Sequence, residues 1–151
     1  MASTITAQTL TVTISEQIIL NNQPINSENQ LVIPSIGQVD KRIVSIPIAT
    51  EVTVLAFGTA VAAGTVIRAN VKYIRITNKD ATNFVRIRVK KAGAETFDVK
   101  VDAGQSFILS NAKESVSATA GAFSAFVDAD SINAQADTGA VDIELFVASI
   151  N

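Results

Sequence analysis

The sequence predicts an all-β fold, an antiparallel β-sandwich of the jelly-roll type. Many short segments alternate apolar and polar residues with a period of two, which is typical of strands with one buried and one solvated face. These segments recur at intervals of about ten residues and are separated by Gly, Asn, Asp and Pro. No segment keeps a 3.6-residue period over the length of an ordinary helix. We expect one domain spanning residues 1–151, in which residues 1–8 are a candidate extended arm.

The first forty residues predict short strands around a long loop. Threonine alternates with Leu10, Val12 and Ile14, as in a strand with one wet face. Residues 21–29 are rich in turn-forming residues, and Pro24 among them argues against a central strand. The predicted strands around this loop are residues 9–15, 17–20 and 31–33, with a turn at residues 35–40.

Two apolar runs follow this region. Pro47 lies within residues 42–48, which predicts a strand at a sheet margin because proline cannot donate a hydrogen bond to a neighbouring strand. Residues 52–57 are apolar on both faces, which favours a central strand. Residues 58–64 predict a loop or a short helical turn, and residues 65–68 a brief strand.

Residues 71–101 predict a meander of three consecutive antiparallel strands in one sheet. Residues 79–82 form the first connection. Residues 91–93 form the second, with Gly93 in the left-handed position of a bulge that only glycine adopts cheaply. The buried rows of the three strands would then lie side by side.

The register of this meander is predicted from apolar and charged pairs. It places Ile87 beside Phe97 and Arg86 opposite Asp98, and such a cross-strand ion pair contributes roughly 0.2–1 kcal/mol. A slip of one residue would turn every apolar side chain outward, which supports this pairing. Two cations of the meander have no obvious acid within it, Arg75 and Arg88.

The last third of the chain contains one clear strand and several weaker ones. Residues 141–147 alternate strictly, with Val141, Ile143, Leu145 and Val147 inward and Asp142, Glu144 and Phe146 outward. The other strands are predicted at residues 106–109, 116–120 and 132–136, while residues 123–127 have no clean period.

The composition excludes several classes of function. The chain has no cysteine, histidine or tryptophan, so it lacks the commonest general base and zinc ligands, and an enzyme is disfavoured. The net charge of −2 argues against nucleic-acid and anionic-membrane binding. No segment predicts a signal peptide or a membrane span, so we expect synthesis in a cytoplasm. A hydrophobic fraction of 48% with 17% charged residues predicts a homo-oligomer whose surface is largely covered by neighbours.

Two groups of polar residues are candidate sites, and each has a simpler explanation. The basic row Tyr73, Arg75, Arg86, Arg88 and Lys90 could hold a phosphate or a sugar, but charges of this kind are typical of a solvated sheet face. Aspartates at positions 128, 130, 137 and 142 offer oxygen ligands for calcium, but they do not follow EF-hand spacing. We therefore predict no catalytic residue, no metal and no cofactor.

The stretch YIRITNKDATNFVRIRV followed by VDAGQSFILS, within residues 73–110, resembles small β-sandwich structural proteins of tailed-bacteriophage virions. The resemblance implies a non-enzymatic virion component that acts through contacts between subunits. It would be a head decoration, capsid-stabilising or head-to-tail protein that binds copies of itself and a major capsid or other virion protein.

The alternative is a carbohydrate- or receptor-binding β module of a tail fibre or adhesin, which the aromatic content of 5% disfavours. For either function, the predicted partner-contact face comprises six residues: Tyr73, Arg75, Phe84, Arg88, Lys90 and Phe146.

Overall fold

The computed structural model describes residues 5–91, 96–110 and 129–151. Within these ranges the chain forms ten strands and one 3₁₀ turn, and no helix there has the length and hydrophobicity of a membrane span. The strands are β1 (Gln8–Leu20), β2 (Gln23–Ile46), β3 (Val52–Gly58), β4 (Thr65–Ile67), β5 (Val71–Asn78), β6 (Val85–Lys90), β7 (Thr96–Val101), β8 (Ser106–Ser110), β9 (Ser131–Ala136) and β10 (Val141–Ile150), with the 3₁₀ turn at Arg68–Asn70.

The strands form two five-stranded sheets that pack face to face. Sheet I has the order β1-β2-β10-β5-β8, and sheet II has the order β4-β3-β9-β6-β7. Eight strands pair from the outside of the chain inwards, β2 with β10, β3 with β9, β5 with β8 and β6 with β7. This is the arrangement of a long antiparallel hairpin rolled into two sheets, which confirms the predicted jelly-roll sandwich. Strands β1 and β4 extend the two sheets at their edges.

Aliphatic side chains from both sheets fill the space between them. The inward row predicted for the last strand is confirmed, since all four of its residues are buried. They belong to one buried cluster with the inward residues of β6 and β9 in the other sheet. The largest fully buried side chains are Ile46, Leu55, Ile74, Ile76, Ile87, Ile132, Ile143 and Leu145.

The predicted single-sheet meander is wrong. Strand β5 belongs to sheet I, where it pairs with β10 and β8, while β6 and β7 belong to sheet II. The residues predicted to face inward are buried, but Ile76 and Val85 lie in opposite sheets instead of side by side. Alternation identifies the buried face of a strand and contains no information on which sheet the strand joins.

The predicted register of β6 and β7 is also wrong, by two residues. Ile87 pairs with Val99, and Asp98 lies opposite Arg88 instead of Arg86. The ladder runs to the pair Lys90 and Thr96, so residues 91–95 connect the strands where a three-residue loop was predicted. A shift of two residues keeps every side chain on the same face, so alternation cannot detect it.

Strand β2 is long because it pairs with two other strands, β1 and β10. Residues 23–36 pair with β1, and residues 36–46 pair with β10. The register shifts on both sides near Ile36, and Ser35 has a φ of 63°. Extra residues of this kind bend a strand and increase its twist, which aims the β1–β2 hairpin over the outer face of sheet I.

The β1–β2 hairpin replaces the loop predicted at residues 21–29 and the turn predicted at residues 35–40. Its turn is the pair Asn21 and Asn22, with φ values of 49° and 61°, which fit a two-residue type I′ turn. Pro24 pairs with Ile19, a position where the backbone nitrogen points away from β1 and needs no partner. The proline therefore fits an open edge, and the predicted end of a strand at Pro34 is a bend within β2.

Several other predictions are confirmed. Strand β3 is central in sheet II, between β4 and β9. Within the described ranges, residues 37–46 pair with β10 alone, as expected at a sheet margin. The predicted strand at residues 116–120, the run at residues 123–127 and Gly93 lie outside the described residues, as do residues 1–4 of the predicted arm, whose last residue, Gln8, begins β1.

Candidate assembly surface

The six predicted contact residues do not share one face. Tyr73, Arg75 and Phe146 lie on the outer face of sheet I, on neighbouring strands β5 and β10. The other three belong to sheet II: Arg88 and Lys90 lie on the outer face of β6, and Phe84 immediately precedes that strand. The error follows from the single-sheet meander, which placed β5 and β6 side by side. Two separate outer faces must therefore be considered.

The strongest candidate surface is the distal part of the β1–β2 hairpin, residues 13–30, which we call the hairpin arm. Every residue of the arm is exposed. Among the described residues, its two strands pair only with each other. A two-stranded hairpin without further support is marginally stable in water, so the arm is a segment that gains from being covered.

The two faces of the hairpin differ in polarity. One face begins with Leu10, Val12, Leu31 and Ile33 near the body and continues along the arm with Ile14, Ile18, Leu20 and Ile25. We call it the apolar face. The opposite face is mainly Thr, Ser, Gln and Asn until Ile19 and Pro24 near the tip. Side chains of Ile18 and Ile25 are paired across the strands and are 49% and 56% exposed.

The root of the hairpin is covered by its own chain. Ile33, Ile36, Tyr73 and Ala148 form a second buried cluster on the outer side of sheet I, and Leu10, Val12, Leu31 and Phe146 pack against it. Tyr73 and Phe146 meet edge to face, with ring centroids 6.0 Å apart. Burial raises the pKa of the Tyr73 phenol. These rings are therefore packed together and do not form an open platform for stacking sugars.

A row of four residues crosses the outer face of sheet I beside this cluster. Lys41, Phe146, Arg75 and Ile108 are cross-strand neighbours on β2, β10, β5 and β8. Arg75 donates hydrogen bonds to Glu144 and Thr77, and Lys41 lies 3.6 Å from Glu144. The hydrogen bond from Arg75, with the charges of Lys41 and Arg75, holds the pKa of Glu144 below its ordinary value. Two cations thus share one carboxylate in this row.

A groove lies between the hairpin root and this row. Its volume is about 370 Å³, and apolar side chains form most of its wall. Arg75 is the charged residue that lines it. Two exposed apolar side chains lie on this outer face of sheet I. Ile43 is 66% exposed, and Ile108, which lines the groove, is 38% exposed. The groove and the apolar face of the arm together expose more hydrophobic surface than isolated surface residues would.

The outer face of sheet II is a closed network of charges. Arg88 binds both oxygens of Asp98 at 2.6 Å and reaches Glu51 at 3.0 Å, while Lys90 lies 3.1 Å from Glu51. Asn133 donates a hydrogen bond to the same Glu51 at 2.9 Å. The cations of this row that lie on sheet II are therefore paired with acids of the same chain. Arg86 donates a hydrogen bond to Gln135 and lies 3.7 Å from Glu51.

These contacts shift the pKa values of the acids. Burial raises the pKa of Glu51, but hydrogen bonds from Lys90 and Asn133 and the charges of Lys90 and Arg88 outweigh it, so the pKa lies below its ordinary value. The hydrogen bond from Arg88 lowers the pKa of Asp98 and raises that of Arg88 itself. Such mutually satisfied charges are typical of a structural network and leave no group poised for proton transfer.

The described aspartates of the candidate calcium group, at positions 130, 137 and 142, do not form a metal site. Asp130 pairs with Arg68 at 2.6 Å, and Asp128 lies outside the described residues. Across residues 5–91, 96–110 and 129–151, no three acidic side chains are close enough to hold a metal ion.

Two features of the surface are not predicted from the sequence. Glu51 lies in the connection before β3, far along the chain from the cations it binds, and no local pattern identifies it. The hairpin arm could have been found from Asn21-Asn22 between two alternating segments, which is a two-residue hairpin signal.

The fold and this surface define a jelly-roll protein with an apolar arm that no other described strand covers. No protein-family model matches the chain, and no curated protein sequence is significantly similar to it. Among solved structures, it is similar to a chain described under "Bacillus endospore appendages form a novel family of disulfide-linked pili". The TM-score is 0.42 at 14% identity, over 76% of this chain and 88% of that chain, which supports no conclusion about function. This chain has no cysteine and cannot form disulfide links.

Proposed function

We propose that this protein is a non-enzymatic structural subunit that assembles with copies of itself. The observation that carries the proposal is the hairpin arm, whose apolar face leaves Ile14, Ile18, Leu20 and Ile25 exposed and whose strand edges have no partner within the described residues. Natural proteins usually protect such edges with lysine, proline or a covering element. An edge and an apolar face left open together favour a site of assembly.

The chemistry of the surface supports the same proposal. The chain has neither histidine nor cysteine, and Glu144, Glu51 and Asp98 on the outer faces of the sheets are paired with arginine or lysine. A rigid sandwich with satisfied charges and an open arm is suited to contacts between subunits.

The place of assembly that we propose is a virion, where the protein would act as a head decoration, capsid-stabilising or head-to-tail component and bind a major capsid or other virion protein. The support is the sequence resemblance within residues 73–110. A jelly roll is also a common architecture of viral capsid domains. The sheet II residues Phe84, Arg88 and Lys90 remain proposed contacts to such a second protein, and residues 1–151 are proposed to act as one domain.

Sedimentation velocity of the purified full chain over a wide range of concentrations tests the assembly. We expect species larger than the monomer that grow with concentration, and a monomer at every concentration would refute the proposal. Immunogold labelling of purified phage particles with an antibody to the chain tests the location. Labelled heads or necks are expected, and unlabelled particles would refute a virion role.

A further inference from the structure

We propose that the apolar face of one copy's hairpin arm docks in the groove on the outer face of sheet I of a second copy. This inference rests on the proposed function, because it requires self-assembly, and it specifies the two surfaces that meet.

The hairpin itself indicates what kind of surface covers its apolar face. Near the body, Val12 and Leu31 are paired on this face and pack against Tyr73 and the rest of the outer cluster of sheet I. Beyond them the same face continues to Ile14, which lines the groove, and past Glu16 to Ile18 and Ile25, which are 49% and 56% exposed. The outer face of sheet I already accommodates one half of the apolar face. In a second copy, the part of this outer face that its own hairpin root leaves open is the groove.

The groove has the composition needed for this occupant. One wall is the chain's own hairpin from Leu10 to Ile14, the other combines Ile108 and Phe146 with the guanidinium of Arg75, and the groove is open to solvent. The apolar face of the arm carries a row of similar character, in which Glu16 lies between Ile14 and Ile18. Apolar side chains can therefore meet apolar side chains while the carboxylate of Glu16 meets Lys41, the exposed cation in the row beside the groove, which avoids burying an unpaired charge.

Charge favours the sheet over a second arm as the docking surface. The hairpin from Gln8 to Ile33 contains two acids, Glu16 and Glu28, and no lysine or arginine. Two arms packed together would bring like charges close. The row across sheet I contains the two cations Lys41 and Arg75, which share Glu144 beside the row, and the Lys41 side chain is 60% exposed. Electrostatic complementarity of this kind selects the partner surface and its orientation.

The part of the arm that would dock, around Ile18 and Ile25, does not line the groove of its own chain, which limits the assemblies that can form. Two copies can exchange arms reciprocally and close as a dimer, or each copy can pass its arm to the next one and form a ring or a filament. Each docking event completes the cover of one arm.

Two matched single substitutions test the arm by sedimentation velocity. Ile18→Glu places a carboxylate on the apolar face, and Gln17→Glu places the same charge on the opposite face at the adjacent residue. We expect Ile18→Glu to weaken association by more than about tenfold and Gln17→Glu by less than about threefold. Far-UV circular dichroism of each variant verifies that the sandwich is folded.

A charge exchange tests the groove. Glu16→Lys and Lys41→Glu should each weaken association, and the double variant should recover most of the loss, since the two residues would meet across the interface. If the wild type assembles but Ile18→Glu assembles equally well, or if the double variant recovers nothing, the docking proposal is refuted while self-assembly stands. A wild type that never associates refutes the proposed function itself.

Discussion

Replacing Asn78 with leucine should destabilise the sandwich more than any comparable change at its surface. Asn78 is fully buried at the end of β5, and its side chain connects three parts of the backbone. Its Nδ2 donates to the carbonyls of Asn83 at 2.8 Å and Val101 at 3.1 Å, and its Oδ1 accepts from the amide of Asp80 at 2.9 Å. Val101 belongs to sheet II, so this amide joins the two sheets at one edge.

Leucine has nearly the same shape but can make none of these hydrogen bonds. Leaving the buried Val101 carbonyl without this donor costs about 1–3 kcal/mol, and the two partly buried bonds contribute about 0.5–1.5 kcal/mol each. The sum of the central values is about 4 kcal/mol, with water access at Asp80 and Asn83 reducing it towards 3 kcal/mol. A domain with a typical stability of about 5–15 kcal/mol would still fold.

Urea unfolding followed by far-UV circular dichroism measures this loss, with all variants at one protein concentration because assembly would add to the apparent stability. Asn26→Leu is the matched control, since Asn26 is exposed on the polar face of the arm. We expect its midpoint to stay close to that of the wild type. If Asn78→Leu loses less than about 1 kcal/mol, the sheets are not joined through this side chain.

Two further predictions concern charge and backbone. Glu51 and Asp98 have pKa values lowered from 4.5 and 3.8, so the unfolded chain binds more protons than the folded one near these values, and the free energy of unfolding should fall as the pH drops below about 5. Glu51→Gln should flatten this fall in denaturant titrations from pH 6 to pH 3, and an unchanged slope would contradict the assignment. Gly64 has a φ of 74° and faces the Arg42 guanidinium, so Gly64→Ala should cost at least about 1 kcal/mol in thermal unfolding. Gly104 has a φ of 73° and open space around it, so Gly104→Ala should lower the stability by less than Gly64→Ala. Equal losses of stability would mean that the contact with Arg42 is irrelevant.

The parts of the fold that could be predicted are those governed by side-chain alternation. The strand β10 was predicted with its correct inward row because one face meets the core and the other meets solvent, so each residue reports its own environment. Strands β9 and β3 are confirmed as strands, but no inward row was predicted for either of them. Many strands with one buried face predict a two-sheet sandwich. The structure has this sandwich, in which β2 pairs with β10.

Assignment of strands to sheets could not be predicted from alternation. Ile76 and Val85 are both buried, and this is equally true whether their strands are adjacent or face each other across the core. The choice is made by long-range pairing, in which β5 joins β8 and β6 joins β7. The error at Arg86 has the same origin, since a shift of two residues exchanges partners without changing faces.

The candidate surface was only partly predictable for a related reason. Phe146 was correctly placed outward, but its neighbours Lys41 and Tyr73 come from strands far apart in the chain. The sequence does not predict the hairpin arm, because Pro24 argues against a central strand. In the structure Pro24 lies at an open edge, where its backbone nitrogen needs no hydrogen-bond partner.

The inward pairing of the jelly roll has a consequence for synthesis. Strand β10 separates β2 from β5, and β9 separates β3 from β6, so both sheets receive an interior strand from residues 131–150. A nascent chain in which β1 to β8 have been synthesised still cannot complete either sheet. Completion of the sandwich must wait for β9 and β10, and until then unpaired edges in both sheets are exposed to other chains. The time between translation of β8 and translation of β10 is therefore when this protein most needs protection from aggregation.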